Sequence, residues 1–255
     1  MKRAGRKMKK LIKFGFKIAA VVSCAGAVVT AIAMLAERRK NKKDCKKQRT
    51  SSFYENYLKR SIDCFLASCA AIVLSPVLLI TALLVRMKLG SPVLFNQQRI
   101  GKDEKPFMLH KFRTMTDERD ENGELLPNEV RLTPFGLKLR STSIDELPEL
   151  LNIIKGDMAI VGPRPLLEKY LPFYTEHEHH RHDVRPGLTG LAQVTNNGDL
   201  GWDDKLATDV KYTEHVSLFG DAKIIMKTAV AVFTRGDTIN DGIDPLDVER
   251  TKNEA

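Results

Sequence analysis

Two adjacent carboxylates, Asp145 and Glu146, are the residues whose types and spacing point most directly to catalysis. They lie in the segment Ser143-Ile-Asp-Glu-Leu-Pro148, and a rigid turn that carries one arginine, Gly162-Pro-Arg-Pro165, follows along the chain. A carboxylate can act as a nucleophile or as a metal ligand, and a guanidinium can bind two oxygens of a phosphate group. The pattern therefore predicts phosphate chemistry in this part of the chain.

The same segment also has a purely structural interpretation. Ser143-x-x-Glu146 fits a capping box, in which the two side chains satisfy backbone N–H groups at the start of a helix. Pro148 predicts that this helix begins near Asp145, because proline is tolerated in the first turn of a helix. In both interpretations the free N–H groups and the helix dipole favour anions here, which would keep Asp145 ionised.

Basic residues that could offset the charge of a diphosphate lie on both sides of the pair. Arg140 comes five residues before Asp145, and Arg185 lies in a second rigid turn, as Arg164 does in the first. Lys111 and Arg113 are two residues apart on a predicted strand, so they should face the same side. The chain has no Gly-x-Gly-x-x-Gly, P-loop or Gly-x-Ser-x-Gly motif, which leaves ATP hydrolysis, Rossmann redox chemistry and serine hydrolysis without support.

Candidate metal ligands are few. Asp157 lies in a Gly-containing turn, and a hard ion such as Mg²⁺ needs only one or two carboxylates beside the phosphates of a substrate. The stretch His177–His182 is polar and has no nearby cysteine, so a solvated helix end is favoured over a transition-metal site. The segment Asp199–Asp204 with Trp202 fits either a nucleotide or sugar pocket or a core tryptophan. The four cysteines form no Cys-x-x-Cys pair and are typical of packing residues in a reducing compartment.

Two uncharged apolar runs must position this chemistry. Ile18–Ala36 and Cys64–Val85 contain 19 and 22 residues, and each is long enough to cross a bilayer as a helix. Ser75-Pro76 interrupts the second run, because proline removes a helix hydrogen bond. This predicts either a kinked spanning helix or a helix that enters one leaflet and returns. Cations at both ends, Lys59-Arg60 and Arg86 with Lys88, slightly favour the return to one face.

The positive charge is concentrated at the N-terminus. Residues 1–49 contain 16 Lys and Arg against two acids, a net charge of +14, whereas residues 50–255 have a net charge of −5. Anionic membrane lipids are the expected partner, and a nucleic acid is not, because the arm lacks interleaved aromatic residues. A cleaved signal peptide ranks below an uncleaved membrane helix for this segment. Its orientation stays open, since eight Lys and Arg precede the run and eight follow it.

The chain is thus predicted to have four parts: a basic arm with an N-terminal hydrophobic helix (1–58), a membrane helix (59–90), a catalytic α/β domain (91–240) and a polar tail (241–255). Strands are predicted at Val93–Phe95, Phe107–Met115 and Met158–Val161, and a helix at Ile144–Ile154. A second helix at Asp221–Phe233 could lie on a membrane surface or pack on the core.

Taken together, these motifs resemble those of the bacterial sugar transferases that are monotopic phosphoglycosyl transferases, above all the small, bacillosamine-type enzymes. The resemblance runs from about Lys59 to Thr238, some two thirds of the chain. It depends on Lys59-Arg-x-x-Asp63, Ser75-Pro76, Lys111-Phe-Arg-Thr-Met115, Arg140-Ser, Asp145-Glu-Leu-Pro148, Lys155-Gly-Asp-Met158, Val161-Gly-Pro-Arg-Pro165 and Val184-Arg-Pro-Gly187. Because several motifs occur in order, the resemblance is specific.

The resemblance implies a mostly helical α/β domain on a re-entrant membrane helix, facing the cytoplasm at the bacterial inner membrane. It implies a two-step reaction in which Asp145 attacks a UDP-sugar, releases UMP and passes the phosphosugar to undecaprenyl phosphate. Glu146 would bind or assist Mg²⁺, with Asp157 as a further candidate ligand. The remaining implied phosphate-binding residues are Lys111, Arg113, Arg140, Arg164 and Arg185.

Three matters stay open from the sequence alone. A non-catalytic membrane adaptor for glycan-assembly enzymes is the alternative function, although an adaptor would not need the acidic pair and the turn arginines together. The sugar is not determined, and an N-acetylated sugar is preferred only by analogy with bacillosamine-type enzymes. A homodimer is among the partners that the sequence leaves open.

Overall fold

The computed structural model describes residues 51–195, 200–234 and 246–254. By their contacts, Met1–Thr50 form one unit and Ser51–Ala255 another. The expectations about the basic arm and the first apolar run lie almost entirely outside the described residues. The described part of the second unit is mostly helical with two small sheets, which confirms the predicted mostly helical α/β character of the domain.

The regular elements are as follows. The helices are α1 (Lys59–Val73), α2 (Ser75–Leu89), α3 (Asn128–Arg131), α4 (Pro134–Ser141), α5 (Glu149–Lys155), α6 (Leu191–Val194), α7 (Trp202–Glu214), α8 (Leu218–Thr234) and α9 (Leu246–Glu254). The strands are β1 (Leu94–Ile100), β2 (Pro106–Phe112), β3 (Ala159–Val161) and β4 (Gly187–Thr189). A π-helical segment leads into α1, and 3₁₀ turns occur at Lys102–Glu104, Ile144–Glu146, Glu168–Phe173 and Glu178–Asp183.

The second apolar run forms two helices joined at a sharp bend. The helical segments Tyr54–Val73 and Ser75–Leu89 meet at 63°. Proline 76 has no N–H to offer the carbonyl of Ile72, and the Ser75 hydroxyl donates to that oxygen instead at 2.8 Å. Among the described residues, no single helix has the length and hydropathy to cross a membrane, while this bent pair together meets both criteria.

Two short sheets support the central part of the domain. Strand β1 pairs antiparallel with β2, from Leu94 opposite Phe112 to Ile100 opposite Pro106. It is longer than the predicted Val93–Phe95, because ladder hydrogen bonds hold its polar residues in the sheet. Strand β2 ends at Phe112, so the prediction that it continues to Met115 was wrong. Strand β3 begins one residue after the predicted start at Met158 and ends at Val161, as predicted. It pairs in parallel with β4.

Helix α1 packs directly on α5. The shared core consists of Ala67, Leu109, Leu150, Ile153 and Met158. The Arg60 guanidinium donates to the carbonyl oxygens of Ile153 and Ile154 at 2.6 and 2.8 Å. These carbonyls belong to the last turn of α5, where helix carbonyls lack partners within the helix. The bent pair is therefore fixed to the helix that follows the acidic pair.

A buried polar network joins α1 to α8. The Lys59 ammonium contacts Asp221 at 2.5 Å and Asp63 at 3.5 Å. The Tyr212 hydroxyl is hydrogen-bonded to Asp221 at 2.8 Å and to the carbonyl of Val161 at 3.0 Å. Asp63 is thus paired with the cation four residues before it, as a carboxylate near a membrane interface needs.

The end of the chain contains more structure than a polar tail. Helix α9 inserts Leu246, which is fully buried, into a cluster with Tyr170, Tyr174 and Leu206. Arg250 of the same helix binds Glu178 at 2.8 Å. The sequence did not predict this helix, because one buried leucine among polar residues produces no helical spacing of apolar residues.

Candidate active site

The acidic pair lies in a turn that precedes α5. Ser143 has the left-handed backbone conformation, with φ of 54°, and its side chain makes no capping hydrogen bond. The capping-box expectation was therefore wrong, because a capping serine normally has an extended backbone. Asp145 and Glu146 belong to the 3₁₀ turn, and α5 begins only after Pro148.

Glu146 is the centre of an ion-pair cluster. One of its oxygens accepts from the Lys111 ammonium at 2.7 Å and from the Arg164 guanidinium at 2.6 Å. Burial would raise the pKa of Glu146, but Arg164 and Lys111 outweigh it and lower this pKa to about 2. Glu146 is thus a permanent anion, held by the lysine of β2 and the arginine of the turn after β3.

Asp145 has the opposite character. Its side chain is buried, and no described residue donates a hydrogen bond to its carboxylate. Burial, followed by the charge of Glu146, raises the pKa of Asp145 to about 6, against the opposing effect of Lys111, Arg140 and Arg164. The expected stabilisation of the anion by a helix start is therefore reversed, although Asp145 remains mostly ionised at neutral pH. A carboxylate that is ionised and has no donor on its lone pairs is suited to attack.

Two residues of the cluster were missed by the sequence analysis. Glu149, in the first turn of α5, is only 3% exposed and lies 3.2 Å from the Lys111 ammonium. Burial, reinforced by Glu146, outweighs Lys111 and raises the pKa of Glu149 to about 7. Arg99 of β1 lines the same cleft together with Lys111 and Arg164. The only sequence signal for Glu149 was a third acid three residues beyond Glu146, and Arg99 was hidden in a polar run.

The Arg99 guanidinium has an N–H group without a hydrogen-bond partner among the described residues. Its guanidinium donates to the Pro165 carbonyl at 3.3 Å and to Gln97 at 2.6 Å, while its buried Nε has no partner within the described part of the chain. An unpaired buried N–H is costly, and such groups are often completed by a ligand. The cleft therefore presents a further cation beside the acidic pair.

Backbone contacts fix the turn that carries Arg164. Gly162 lies so close to the segment before β4 that a Cβ there would collide with the Arg185 carbonyl oxygen and the Gly187 nitrogen. Arg181 donates to the Arg164 carbonyl at 2.7 Å and is itself held by Asp209 at 2.6 Å in a buried pair. The Arg164 side chain remains 45% exposed. The turn thus holds a guanidinium in place at an open cleft.

The other predicted phosphate-binding residues are placed differently. Arg140 donates to Thr114 at 3.0 Å and is near enough to Asp145 to act on its pKa. Arg113 lies beyond the end of β2, pairs with Asp117 at 2.6 Å and donates to two loop carbonyls, so it does not share the side of Lys111. Arg185 donates to the Gly156 carbonyl at 2.9 Å, after the far end of α5.

The two predicted metal ligands are not brought together. Asp157 follows the C-terminal end of α5, where it contacts Lys155 at 3.2 Å, whereas Glu146 precedes the other end. In the described residues no group of three or more His, Cys, Asp or Glu is arranged to hold a metal ion. Asp145, Glu146 and Glu149 nevertheless act on one another electrostatically, and their carboxylates are hard oxygen donors of the kind that Mg²⁺ prefers.

The histidine stretch and Trp202 have structural contacts. His179 contacts Glu104 at 2.7 Å and His180 contacts Asp183 at 2.9 Å. The stretch is not simply solvated, since Arg181 and His182 are buried. Trp202 packs edge-on against Tyr170 with ring centroids 5.6 Å apart, as a core tryptophan would.

Comparison with known proteins is consistent with this geometry. Residues 54–235 match the family described as "Bacterial sugar transferase". The chain is 52% identical over 171 residues to the uncharacterized sugar transferase EpsL of Bacillus subtilis, covering 67% of this chain and 85% of that protein. It is 36% identical over 187 residues to a Caulobacter vibrioides protein named UDP-glucose:undecaprenyl-phosphate glucose-1-phosphate transferase, covering 69% and 70% of the two chains. An Aeromonas hydrophila protein is 35% identical over 190 residues, covering 70% of this chain and 44% of its own. Its name is UDP-N-acetylgalactosamine-undecaprenyl-phosphate N-acetylgalactosaminephosphotransferase.

Proposed function

Because this chain belongs to the bacterial sugar transferase family, we propose that it is the phosphoglycosyl transferase that begins glycan assembly on undecaprenyl phosphate. It transfers a sugar 1-phosphate from a UDP-sugar, giving undecaprenyl-diphosphate-sugar and UMP. The observation that carries the proposal is the unequal pair, a donor-free Asp145 beside a cation-bound Glu146. The names of the relatives support the same reaction class.

In the first step, a carboxylate oxygen of Asp145 attacks the phosphorus that carries the sugar. A bond forms between Asp145 and phosphorus, the bond from that phosphorus to the bridging oxygen breaks, and UMP leaves with the electron pair. Covalent catalysis of this kind needs an ionised nucleophile and nearby positive charge for the non-bridging oxygens. Asp145 supplies the first, and Lys111, Arg140 and Arg164 supply the second.

In the second step, a phosphate oxygen of undecaprenyl phosphate attacks the same phosphorus. The new phosphorus–oxygen bond forms as the aspartyl–phosphorus bond breaks, which restores the Asp145 carboxylate. The cations around Glu146 remain in place throughout, because the lowered pKa of Glu146 keeps both ion pairs formed. The same cleft therefore serves both half-reactions.

We propose that the Glu146 oxygen that accepts from neither Lys111 nor Arg164, with Asp145 and Glu149 nearby, would hold Mg²⁺ in this cleft. Bound there together with the substrate, the ion would neutralise charge on the diphosphate. Asp157 lies at the other end of α5 and acts as a positioning group for the turn that follows. Loss of activity in excess EDTA, with recovery on adding Mg²⁺, is the expected result.

The bent pair α1–α2 supports a membrane location for this reaction. Phe65, Ile72, Val73, Leu79 and Met87 each have more than 60% of their surface exposed. A soluble protein would gain by burying such residues, whereas a bilayer would cover them. We propose a re-entrant helix pair in the cytoplasmic leaflet of the bacterial inner membrane, with the active site in the cytoplasm, where UDP-sugars are found.

The deciding experiment follows the fate of a radiolabelled UDP-sugar. Wild-type protein with undecaprenyl phosphate should release UMP and move the label to the lipid, while Asp145→Asn should do neither. Glu129→Gln, which removes an exposed carboxylate that forms no ion pair with any described residue, is the matched control and should keep full activity. A panel of UDP-sugars in the same assay identifies the sugar.

Without lipid acceptor, the wild-type protein should carry a phosphosugar on the peptide that contains Asp145, detectable by mass spectrometry. UMP release by Asp145→Asn at the wild-type rate would refute the assignment of the nucleophile. Label that never leaves the UDP-sugar under any condition would favour the adaptor function instead.

A further inference from the structure

A second pocket lies away from the acidic pair, among α6, α7 and α8. Its volume is about 220 Å³. Leu191, Tyr212 and Ile224 form an apolar floor, and Lys211, Lys223 and Lys227 line the rim. None of these residues lines the cleft of Arg99, Lys111, Glu149 and Arg164.

The three rim lysines have no anionic partner among the described residues. All three are exposed, and no carboxylate in the described ranges lies within ion-pair distance of any of them. His215 adds a fourth basic side chain to the lining. Like charges gathered around one opening repel each other, so an anion in the pocket would relieve this repulsion.

The pocket opens on one edge of a strongly apolar helix face. On α8, Phe219, Met226 and Val230 are 88%, 71% and 62% exposed. Lys223 and Lys227 are one helical turn apart and flank this face, while Ile224 points to the core. An exposed apolar face with lysines along its edge is the pattern of a helix that lies in a membrane interface. The pocket would then open at the level of the lipid headgroups.

We propose that this pocket is a binding site for an anionic phospholipid. The lipid phosphate lies among Lys211, Lys223 and Lys227, and the glycerol and upper acyl chain cover the apolar floor. The proposal depends on the membrane location proposed above, but the site is separate from the one that would bind the undecaprenyl phosphate acceptor during catalysis.

The chemistry of the lining favours a lipid over a free anion. Lysines are flexible point charges, and the floor offers apolar contact in place of the backbone N–H groups that usually hold a free phosphate. An inorganic ion would leave the floor uncovered, whereas a lipid satisfies both parts of the pocket. The back wall also connects to the active site, since the Tyr212 hydroxyl binds the Val161 carbonyl just before the turn of Arg164.

The test uses the full chain in vesicles that contain 20% of a phosphatidylglycerol with a photoreactive acyl chain. Irradiation followed by mass spectrometry should find cross-links on peptides from residues 191–195 and 211–227. In the triple variant Lys211→Ala, Lys223→Ala, Lys227→Ala, the cross-link yield should be at least five-fold lower than in the wild type. The matched control Lys102→Ala, Lys105→Ala, Lys138→Ala removes the same charge from exposed positions elsewhere and should keep the yield.

Three readouts make the result decisive. Vesicle flotation of each variant reports membrane association, and label transfer from UDP-sugar reports the proposed function, so failure of either is distinguished from failure of the pocket. Replacing phosphatidylglycerol by a photoreactive phosphatidylcholine should reduce the pocket cross-links. Equal cross-linking of the triple variant and the wild type would overturn the proposal. Displacement of the lipid by inorganic phosphate at low millimolar concentration would also overturn it, because the pocket would then be a free-anion site.

Discussion

At the scale of single residues, two neighbours with the same functional group have been given opposite properties. Glu146 has two cations on one oxygen, and its pKa falls to about 2. Asp145 is buried beside that charge, and its carboxylate accepts no hydrogen bond from any described residue. Its pKa rises to about 6. This division separates a group that organises charge from a group that can react.

In the mechanism that we propose, the raised pKa of Asp145 should set the acid limb of the activity. The proposed nucleophile must be ionised, so formation of the phosphosugar adduct should fall as the pH drops through about 6, approaching ten-fold per pH unit below it. UMP release measured as kcat/KM between pH 4.5 and 8 gives the curve, and circular dichroism at each pH confirms that the protein stays folded. A rate that stays flat down to pH 4.5 would contradict the assignment.

Glu149 should be a site where charge costs stability. Its folded pKa of about 7 lies above the unfolded value, so the folded state binds the proton more tightly and loses stability as the pH rises from the unfolded value to about 7. Glu149→Gln should therefore raise the free energy of unfolding by about 1 to 3 kcal/mol at pH 8 and by little near pH 4.5. Denaturation at both pH values tests this, with Glu129→Gln as the neutral control; a destabilised Glu149→Gln protein at pH 8 would disprove it.

Residue types alone predicted part of the site. Glu146, Lys111 and Arg164 were selected from the sequence and do meet in space. Arg113 could not be separated from Lys111, because nothing in the sequence shows that β2 stops between them. Glu149 and Arg99 were missed for the reverse reason, since only tertiary packing turns an ordinary helix glutamate and a strand arginine towards one cleft.

At the scale of elements, short turns with defined backbone geometry place the reactive groups. The 3₁₀ turn before α5 carries the acidic pair, and the turn between β3 and the following segment carries Arg164. The sequence predicted a single helix over Ile144–Ile154, but the chain forms a 3₁₀ turn over Ile144–Glu146 and α5 begins only after Pro148. Spacing of apolar residues cannot show such a division, because a 3₁₀ turn and an α-helix put leucines on nearly the same face.

The turn at Gly162 should tolerate no side chain. Gly162→Ala places a Cβ against the Arg185 carbonyl, which must shift the turn and move Arg164 away from Glu146. UMP release should fall at least ten-fold, and overpacking should cost about 1 to 3 kcal/mol of stability. Gly201→Ala, where nothing lies within 4 Å of the new Cβ, is the matched control. Full activity in Gly162→Ala would show that this close approach does not position the arginine.

At the scale of the whole molecule, the bent helix pair and the catalytic domain are built as one body. Arg60 closes the end of α5, and Lys59 joins α1 to Asp221 and, through Tyr212, to β3. The apolar run and its break at Ser75-Pro76 were readable from the sequence. The contacts that attach it to the catalytic domain were not, because they join residues more than 90 positions apart.

The proposed re-entrant topology can be tested by labelling. Tyr57→Cys and Arg86→Cys, two exposed positions near opposite ends of the pair, are introduced singly after the four native cysteines are changed to alanine. A membrane-impermeant maleimide should label both positions from the cytoplasmic side, in inside-out vesicles, and neither from the outer side. Labelling from opposite sides would show a kinked spanning helix instead.

The clamp of Arg60 on the last turn of α5 has a mechanical consequence. Helix α5 runs from Glu149, at the reactive cleft, to the carbonyls that Arg60 holds. A thicker or thinner bilayer would tilt the bent pair α1–α2. Because α5 is a rigid helix of only seven residues, it would transmit this tilt to the charges around Lys111. Turnover should then depend on acyl-chain length in reconstituted vesicles, and Arg60→Ala should make it less sensitive to that length.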